Sequence, residues 1–357
     1  MKYNHIMRCV RFVITVVITG CVFLGCNTDL PPIAWEGEKI RFATTEDHLP
    51  CGHALEVLDA DVANMEEQLG LPLGGGVKIT YYWLPNHMYL SPCDDWSSGC
   101  ASGYTIYTTQ SSHQHELVHI LTSALGPGHA FLSEGFAEAF NQHSRFELSD
   151  EGNIKERIRR CLVSHATSVN IDYQLAGKFV RFLISEYGLK TIKNVYARIR
   201  PGSDAADYDQ VFTGTLGDSL DTVIDQFVRT APDCYATPGN CHDMAPPTQW
   251  ENGVWEHRFT LSCAAAEKAS GGETFQSVVV DVPTTGPYKL EVEGTFGFKL
   301  AIRLAPCSTV NENCYFTNIQ AYAGEVRVAG LDQGRYEITA AGPNAETTFI
   351  TLRLSEL

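Results

Sequence analysis

The hydrophobic period of this 357-residue chain changes once, and that change limits what the chain can fold into. Before about residue 230, Leu55, Leu58, Val62, Met65 and Leu69 recur at three- and four-residue steps, as do apolar residues in later segments. After about residue 255 they alternate: Tyr288, Leu290 and Val292 interleave with Lys289, Glu291 and Glu293. The first spacing buries one stripe of a helix and the second buries one face of a strand. Residues 231–254 lie between them and are rich in Pro, Gly and Asn, which suit neither element. The expectation is therefore two bodies joined by a linker over 231–254. An α+β domain over 39–230 precedes an all-β sandwich or jelly-roll over 255–357. With 44% hydrophobic and 19% charged residues, the chain has enough apolar side chain to fill two cores.

Within the first body, strands are expected at Lys39–Thr44, Val77–Leu84 and Tyr104–Thr109, a small mixed sheet. Helices are expected over the Leu55–Leu69 stripe, from near Ser112, over Phe131–Gln142, Tyr173–Tyr187, Leu189–Ile199 and Leu220–Arg229. Gly188 is placed to cap the fourth of these. Gly217-Asp218-Ser219-Leu220 spells the motif of a serine-esterase family, but no Asp-x-x-His follows it. Asp218 or Ser219 is therefore read as a helix N-cap.

The N-terminus reads as a processing signal. Lys2, Arg8 and Arg11 precede an apolar run from Phe12 to Leu24, short for a membrane span, and the run ends at Leu24-Gly25-Cys26. This resembles a bacterial lipoprotein signal over residues 1–26, which implies acylation of Cys26. Ile18-Thr19-Gly20-Cys21 fits the same pattern, so Cys21 is the other candidate. Residues 27–38, with Pro31-Pro32, read as a tether to the envelope membrane, with the folded part outside the cytoplasm. The net charge of −16 speaks against nucleic acid as a partner, and leaves the anchor as the membrane contact. Cys93/Cys100, Cys234/Cys241 and Cys307/Cys314 each enclose six residues, as local disulfide staples do in an oxidising compartment. Cys51–Cys161 is expected as a fourth bond and Cys263 as a free thiol.

The strongest chemical signal is His115-Glu116-Leu117-Val118-His119. On a helix, residues four apart share a face, so both imidazoles can address one metal ion. Glu116 sits about 100° round the helix, within reach of a water on that ion. Zinc lowers the pKa of such a water to about 7, and Glu116 can take its proton. A third ligand must come from elsewhere. A histidine one turn on is excluded, because Thr122 and Leu125 hold the positions that would need Gly and His. His129 and Glu134 both follow. Glu134 is preferred because it stands inside a helix with Leu132, Phe136 and Phe140 to pack it, whereas His129 adjoins the Gly126-Pro127-Gly128 turn. Glu138, one turn beyond Glu134, can accept a hydrogen bond from a ligand histidine. His113, His129 and His143 are read as loop or surface histidines.

HELVH followed by FLSEGFAEAF resembles the gluzincin clan of zinc metallopeptidases, which includes thermolysin-like enzymes and aminopeptidase N. Residues 40–230 look like the compact bacterial peptidase-MA-like domains, with Tyr173–Leu183 and Leu216–Leu220 resembling downstream helices of that zincin-like fold. The resemblance implies zinc ligands His115, His119 and Glu134, with Glu116 as general base. It also implies a Tyr or His that stabilises the oxyanion, for which Tyr173 is the candidate. The spacing to Glu134 is shorter than in thermolysin or aminopeptidase N. Strand Tyr104–Thr109 is expected as the cleft edge, where an extended peptide could add. The β body resembles bacterial pre-peptidase C-terminal domains. The expected function is thus zinc-dependent hydrolysis of peptide bonds in peptides or proteins outside the cytoplasm. The alternative is a catalytically inactive surface or adhesion lipoprotein on the same fold.

Overall fold

A computed structural model describes residues 30–47, 49–50, 54–93, 98–141, 153–163, 171–231, 249–262, 268–270, 273–294, 299–303, 305–306, 318–343 and 348–357. Its architecture is mixed α+β, with eight α-helices and several sheets among those residues.

The first sheet begins with β1 (Ile33–Glu36), antiparallel to β2 (Ile40–Thr44). Part of the stretch read as a tether is therefore a sheet strand. From β2 the chain crosses through α1 (Ala54–Leu69) to β3 (Ile79–Trp83), which pairs parallel with β2. A parallel pair needs such a crossover, and the helical stripe Leu55, Leu58, Val62, Met65 and Leu69 is the face α1 buries. Each such side chain, fully buried, contributes roughly 1.5–3 kcal/mol. Asp59 on the same helix accepts from the backbone N–H groups of Glu38, Lys39 and Ile40 at 2.7–3.0 Å, locking the β1–β2 turn to α1.

Next come β4 (Gly99–Ser102) and β5 (Thr105–Thr108), giving the strand order β1-β2-β3-β5-β4. Here the structure corrects the sequence. The strand expected at the cleft edge, Tyr104–Thr109, is the interior strand β5, paired parallel to β3 and antiparallel to β4. The edge is β4, a segment with Gly, Cys, Ala and Ser and no periodic apolar signal. Cys93 and Cys100 form the expected disulfide, fastening this edge strand to the preceding loop.

The helical part comprises α2 (Gln114–Thr122), α3 (Ala130–Phe140), α4 (Ile154–Val163), α5 (Tyr173–Tyr187), α6 (Leu189–Arg198), α7 (Ala205–Leu216) and α8 (Leu220–Thr230). Gly188 has φ 81°, the positive value that favours glycine after a helix. Ser219 caps α8 by accepting from Thr222 N–H, so the Gly-Asp-Ser-Leu string is a helix start. Cys161 on α4 is a free, buried thiol in the hydrophobic core, not the partner of Cys51. Cys51, Cys234, Cys241, Cys263, Cys307, Cys314 and the N-terminal segment with Cys21 and Cys26 lie outside the described residues.

The described residues from Val254 onward form strands and their turns, with no helix among them. One antiparallel sheet has the order β13 (Val326–Leu331), β9 (Gly286–Gly294), β15 (Thr348–Glu356), β6 (Val254–Leu261). Another runs β11 (Ala305–Pro306), β14 (Gly334–Pro343), β8 (Glu273–Val282), β7 (Lys268–Ser270), and β10 (Lys299–Arg303) pairs with β12 (Asn318–Tyr322). The period-two residues Tyr288, Leu290, Val292, Ile350, Leu352 and Leu354 meet Val280, Val282 and Ile338 of the other four-stranded sheet in one hydrophobic cluster. A separate cluster runs from Ile40 to Phe227. Thus Pro31–Leu357 forms one unit, while its buried side chains fall into two groups. No helix among the described residues is long and apolar enough to cross a membrane.

Candidate metal centre

Helix α2 is held at its start by Gln114, whose side-chain amide donates to the buried Asp61 carboxylate of α1 at 3.0 Å. That anchor buries the first turn and with it His115 and Glu116. The chain leaves α2 through a short 3-10 turn, Ser123–Leu125, and Gly126 with φ 89°. It then enters α3 through His129, whose Nδ1 accepts from the N–H of Phe131 at 3.3 Å. His129 is thus a buried N-cap whose ring stands edge-on to Tyr208 at 5.3 Å, and not a loop or surface histidine. Its local hydrogen bond to the helix start outweighed solvent exposure. His143 lies outside the described residues.

Across from α2, α3 presents Ser133, Glu134 and Glu138. Gly135 lets α5 come close, since a Cβ there would stand 2.8 Å from the carbonyl oxygen of Ala176 and 2.6 Å from Val180. In return α5 contributes Tyr173 at its first turn, next to the N-cap Asp172.

These elements bring three ligand atoms together. His115 Nε2 lies 3.0 Å from His119 Nε2 and 3.0 Å from Glu134 Oε2, and His119 Nε2 lies 3.3 Å from the same oxygen. Tetrahedral bonds of about 2.0–2.1 Å to one ion place ligand atoms about 3.3 Å apart, so the cluster has the dimensions of one face of such a site. The far nitrogens are tied as well. His115 Nδ1 is 2.9 Å from Glu138 Oε1, and His119 Nδ1 is 3.2 Å from Ser133 Oγ, which Tyr196 Oη approaches at 3.5 Å. A carboxylate only accepts, so His115 donates through Nδ1, and donation from His119 to Ser133 orients the second ring likewise. Both Nε2 lone pairs then converge on the Glu134 carboxylate, an arrangement that repels itself until a proton or a cation enters. The His115-His119-Glu134 group is positioned to hold a metal ion.

The titrations express the same convergence. Burial opposes charge on His115, yet the hydrogen bonds its protonated ring donates to the Glu134 and Glu138 carboxylates raise its pKa to about 10. Burial would raise the Glu134 carboxyl, but the two imidazoles hold it down at about 2. Without metal the cluster therefore keeps a proton that an incoming cation must displace. Burial also raises the Glu116 carboxyl above its ordinary value against the opposing pull of His119 and His115. Burial, then the carboxylates of Glu134, Glu116 and Glu138, push Tyr173 up to about 12, so its hydroxyl stays a donor.

The cluster opens on a cleft of about 990 Å³ whose walls include Gly99, Cys100 and Ala101 of β4, Glu116, Tyr173 and Tyr196. The Tyr173 ring lies 6.0 Å from that of His115. Every residue the sequence singled out for this centre, from His115 through Glu138 to Tyr173, reaches the one cleft. Three others were missed. Ser133 and Tyr196 gave no signal, since their role depends on how α3 and α6 pack. His113 was read as a surface residue, yet it is half-buried on the cleft wall, where burial, then the charges of His115 and His119, lower its pKa to about 4. No family model matches this chain, and no characterised protein is significantly similar to it in sequence.

Proposed function

We propose that this protein is a zinc-dependent peptidase of the gluzincin type, carried outside the cytoplasm on a lipid anchor at Cys26. The observation that carries the reading is the meeting of two oriented Nε2 atoms and the Glu134 carboxylate beside the buried Glu116, on an open cleft bounded by an edge strand. Two imidazoles and one carboxylate suit zinc and leave a coordination position for chemistry. Zinc held there supplies Lewis acidity toward a substrate carbonyl.

The chain's own groups account for the remaining roles. Glu116, its pKa raised by burial, takes the proton of the attacking water and returns it to the leaving amine. Tyr173, protonated at working pH, donates its hydroxyl hydrogen toward the oxygen on which negative charge develops. Glu138 and Ser133 keep the two histidines in one tautomer. Strand β4, in place of β5, offers the edge against which a peptide or protein segment extends. Nucleic acid is no part of this reading, and the membrane enters it through the anchor alone.

Elemental analysis of the purified mature chain, with a peptide-library digest read by mass spectrometry, tests this. One zinc per chain and cleavage lost on chelation are expected. Glu116→Gln keeps the size of the side chain but cannot take the proton, so zinc stays and turnover falls about 10²-fold or more. Wild-type cleavage by that variant removes Glu116 as the base, and zinc-replete wild type that cleaves no peptide favours the inactive-lipoprotein alternative.

A further inference from the structure

Gly99 in β4 needs no glycine for its backbone, because it lies in extended strand and its φ is outside the left-handed region. What requires glycine is the space above it. A Cβ at position 99 would stand 2.6 Å from Nδ1 and 2.9 Å from Cε1 of His113. The imidazole therefore lies directly on the edge strand of the cleft, and the sequence has removed a side chain to seat it.

The ring is also held from below. Nδ1 of His113 lies 3.0 Å from Thr108 Oγ1, a buried hydroxyl in β5. That hydroxyl has the Ser98 carbonyl at 3.0 Å and the N–H of Gln110 at 3.0 Å. A carbonyl only accepts and an N–H only donates, so the single proton of Thr108 goes to Ser98. Thr108 then accepts from Gln110 and from His113 Nδ1–H. The tautomer this fixes leaves a lone pair on His113 Nε2, in a ring that lines the cleft 6.0 Å from the His115 ring.

We propose that His113 is a substrate-contacting residue whose Nε2 accepts a backbone N–H of a peptide extended along β4 beside the metal ligands. The inference rests on the peptidase reading and deepens it. The site takes a donor at this point, so it selects for a secondary amide there and against proline or an ester linkage.

The test uses the zinc-loaded mature protein and a peptide that the wild type cleaves in the library digest. Each non-scissile amide of that peptide is replaced in turn by an ester, which removes one N–H and keeps the shape. One replacement is expected to raise the wild-type KM about 3- to 10-fold, the value of one hydrogen bond, with kcat nearly unchanged. His113→Phe is expected to raise KM for the parent peptide by the same factor and to be indifferent to that ester, with zinc content unchanged. Gly99→Ala, which retains the His113 side chain but pushes its ring from this seat, is expected to raise KM in the same direction and decides the matter if His113→Phe loses zinc or fold. Wild-type KM in both variants, or equal ester penalties in wild type and His113→Phe, overturns the assignment of His113 alone. A wild type that cleaves no peptide overturns the peptidase reading and this one with it.

Discussion

Ser133 and Glu138 each hold the far nitrogen of a histidine whose near nitrogen belongs to the metal-ligand cluster. Removing either partner frees a ring to rotate, and such losses typically cost 10- to 100-fold in metal affinity. Ser133→Ala and Glu138→Ala should each weaken zinc binding by about that factor in a competition titration, whereas Glu138→Gln, whose amide oxygen still accepts, should recover most of it. Unchanged affinity in Ser133→Ala would show that His119 is oriented by something else. His129 gives the opposite pattern. It caps α3 and packs on Tyr208, so His129→Ala should cost about 1–3 kcal/mol in urea unfolding and leave zinc affinity within about 3-fold. The candidate metal centre is legible at this scale where helical spacing alone decides geometry. His115 and His119 are four apart, and so are Glu134 and Glu138. Residues that enter from other elements, such as His113, Ser133 toward His119, and Tyr196, carry no such spacing.

At the level of elements, apolar stripes located α1, α3, α5 and α8 to within a few residues, because each buries one face on the same core. Helices α4 and α7 were not singled out. The start of α7 did carry a signal, an Asp204–Asp207 capping box in which each carboxylate accepts from the other's backbone. Strand β4 illustrates a harder case, since which strand stands at an edge depends on pairings between distant segments and not on local pattern. The α3–α5 contact offers a direct test. At Gly135 a side chain would meet the Ala176 carbonyl at 2.8 Å, and backbone cannot move aside cheaply. Gly135→Val should destabilise the fold by roughly 1–3 kcal/mol through overpacking. It should also lower zinc affinity, because Glu134 and Glu138 flank it on the helix that must shift. Full stability in urea with normal zinc binding would show that α5 yields freely.

For the whole molecule, the period change in the sequence corresponds to two separate clusters of buried side chains, one from Ile40 to Phe227 and one from Trp255 to Leu354. The candidate metal ligands His115, His119 and Glu134 belong to elements of the first cluster alone. Zinc that binds the folded and not the unfolded state stabilises by RT ln(1 + [Zn]/Kd), about 4.1 kcal/mol at 1,000 times Kd. For a body of 150–250 residues each kcal/mol moves the midpoint by about 2–4 °C, so the shift should be roughly 8–16 °C. Calorimetry of the mature chain should therefore show two transitions. A chelator should lower the one belonging to the helical half by that amount and leave the β half in place. Glu134→Ala should reproduce the lowered transition without chelator and abolish the response to added zinc. One transition that moves as a whole would mean that the two clusters unfold together, and that metal bound near α2 and α3 stabilises strands which contribute no ligand to it.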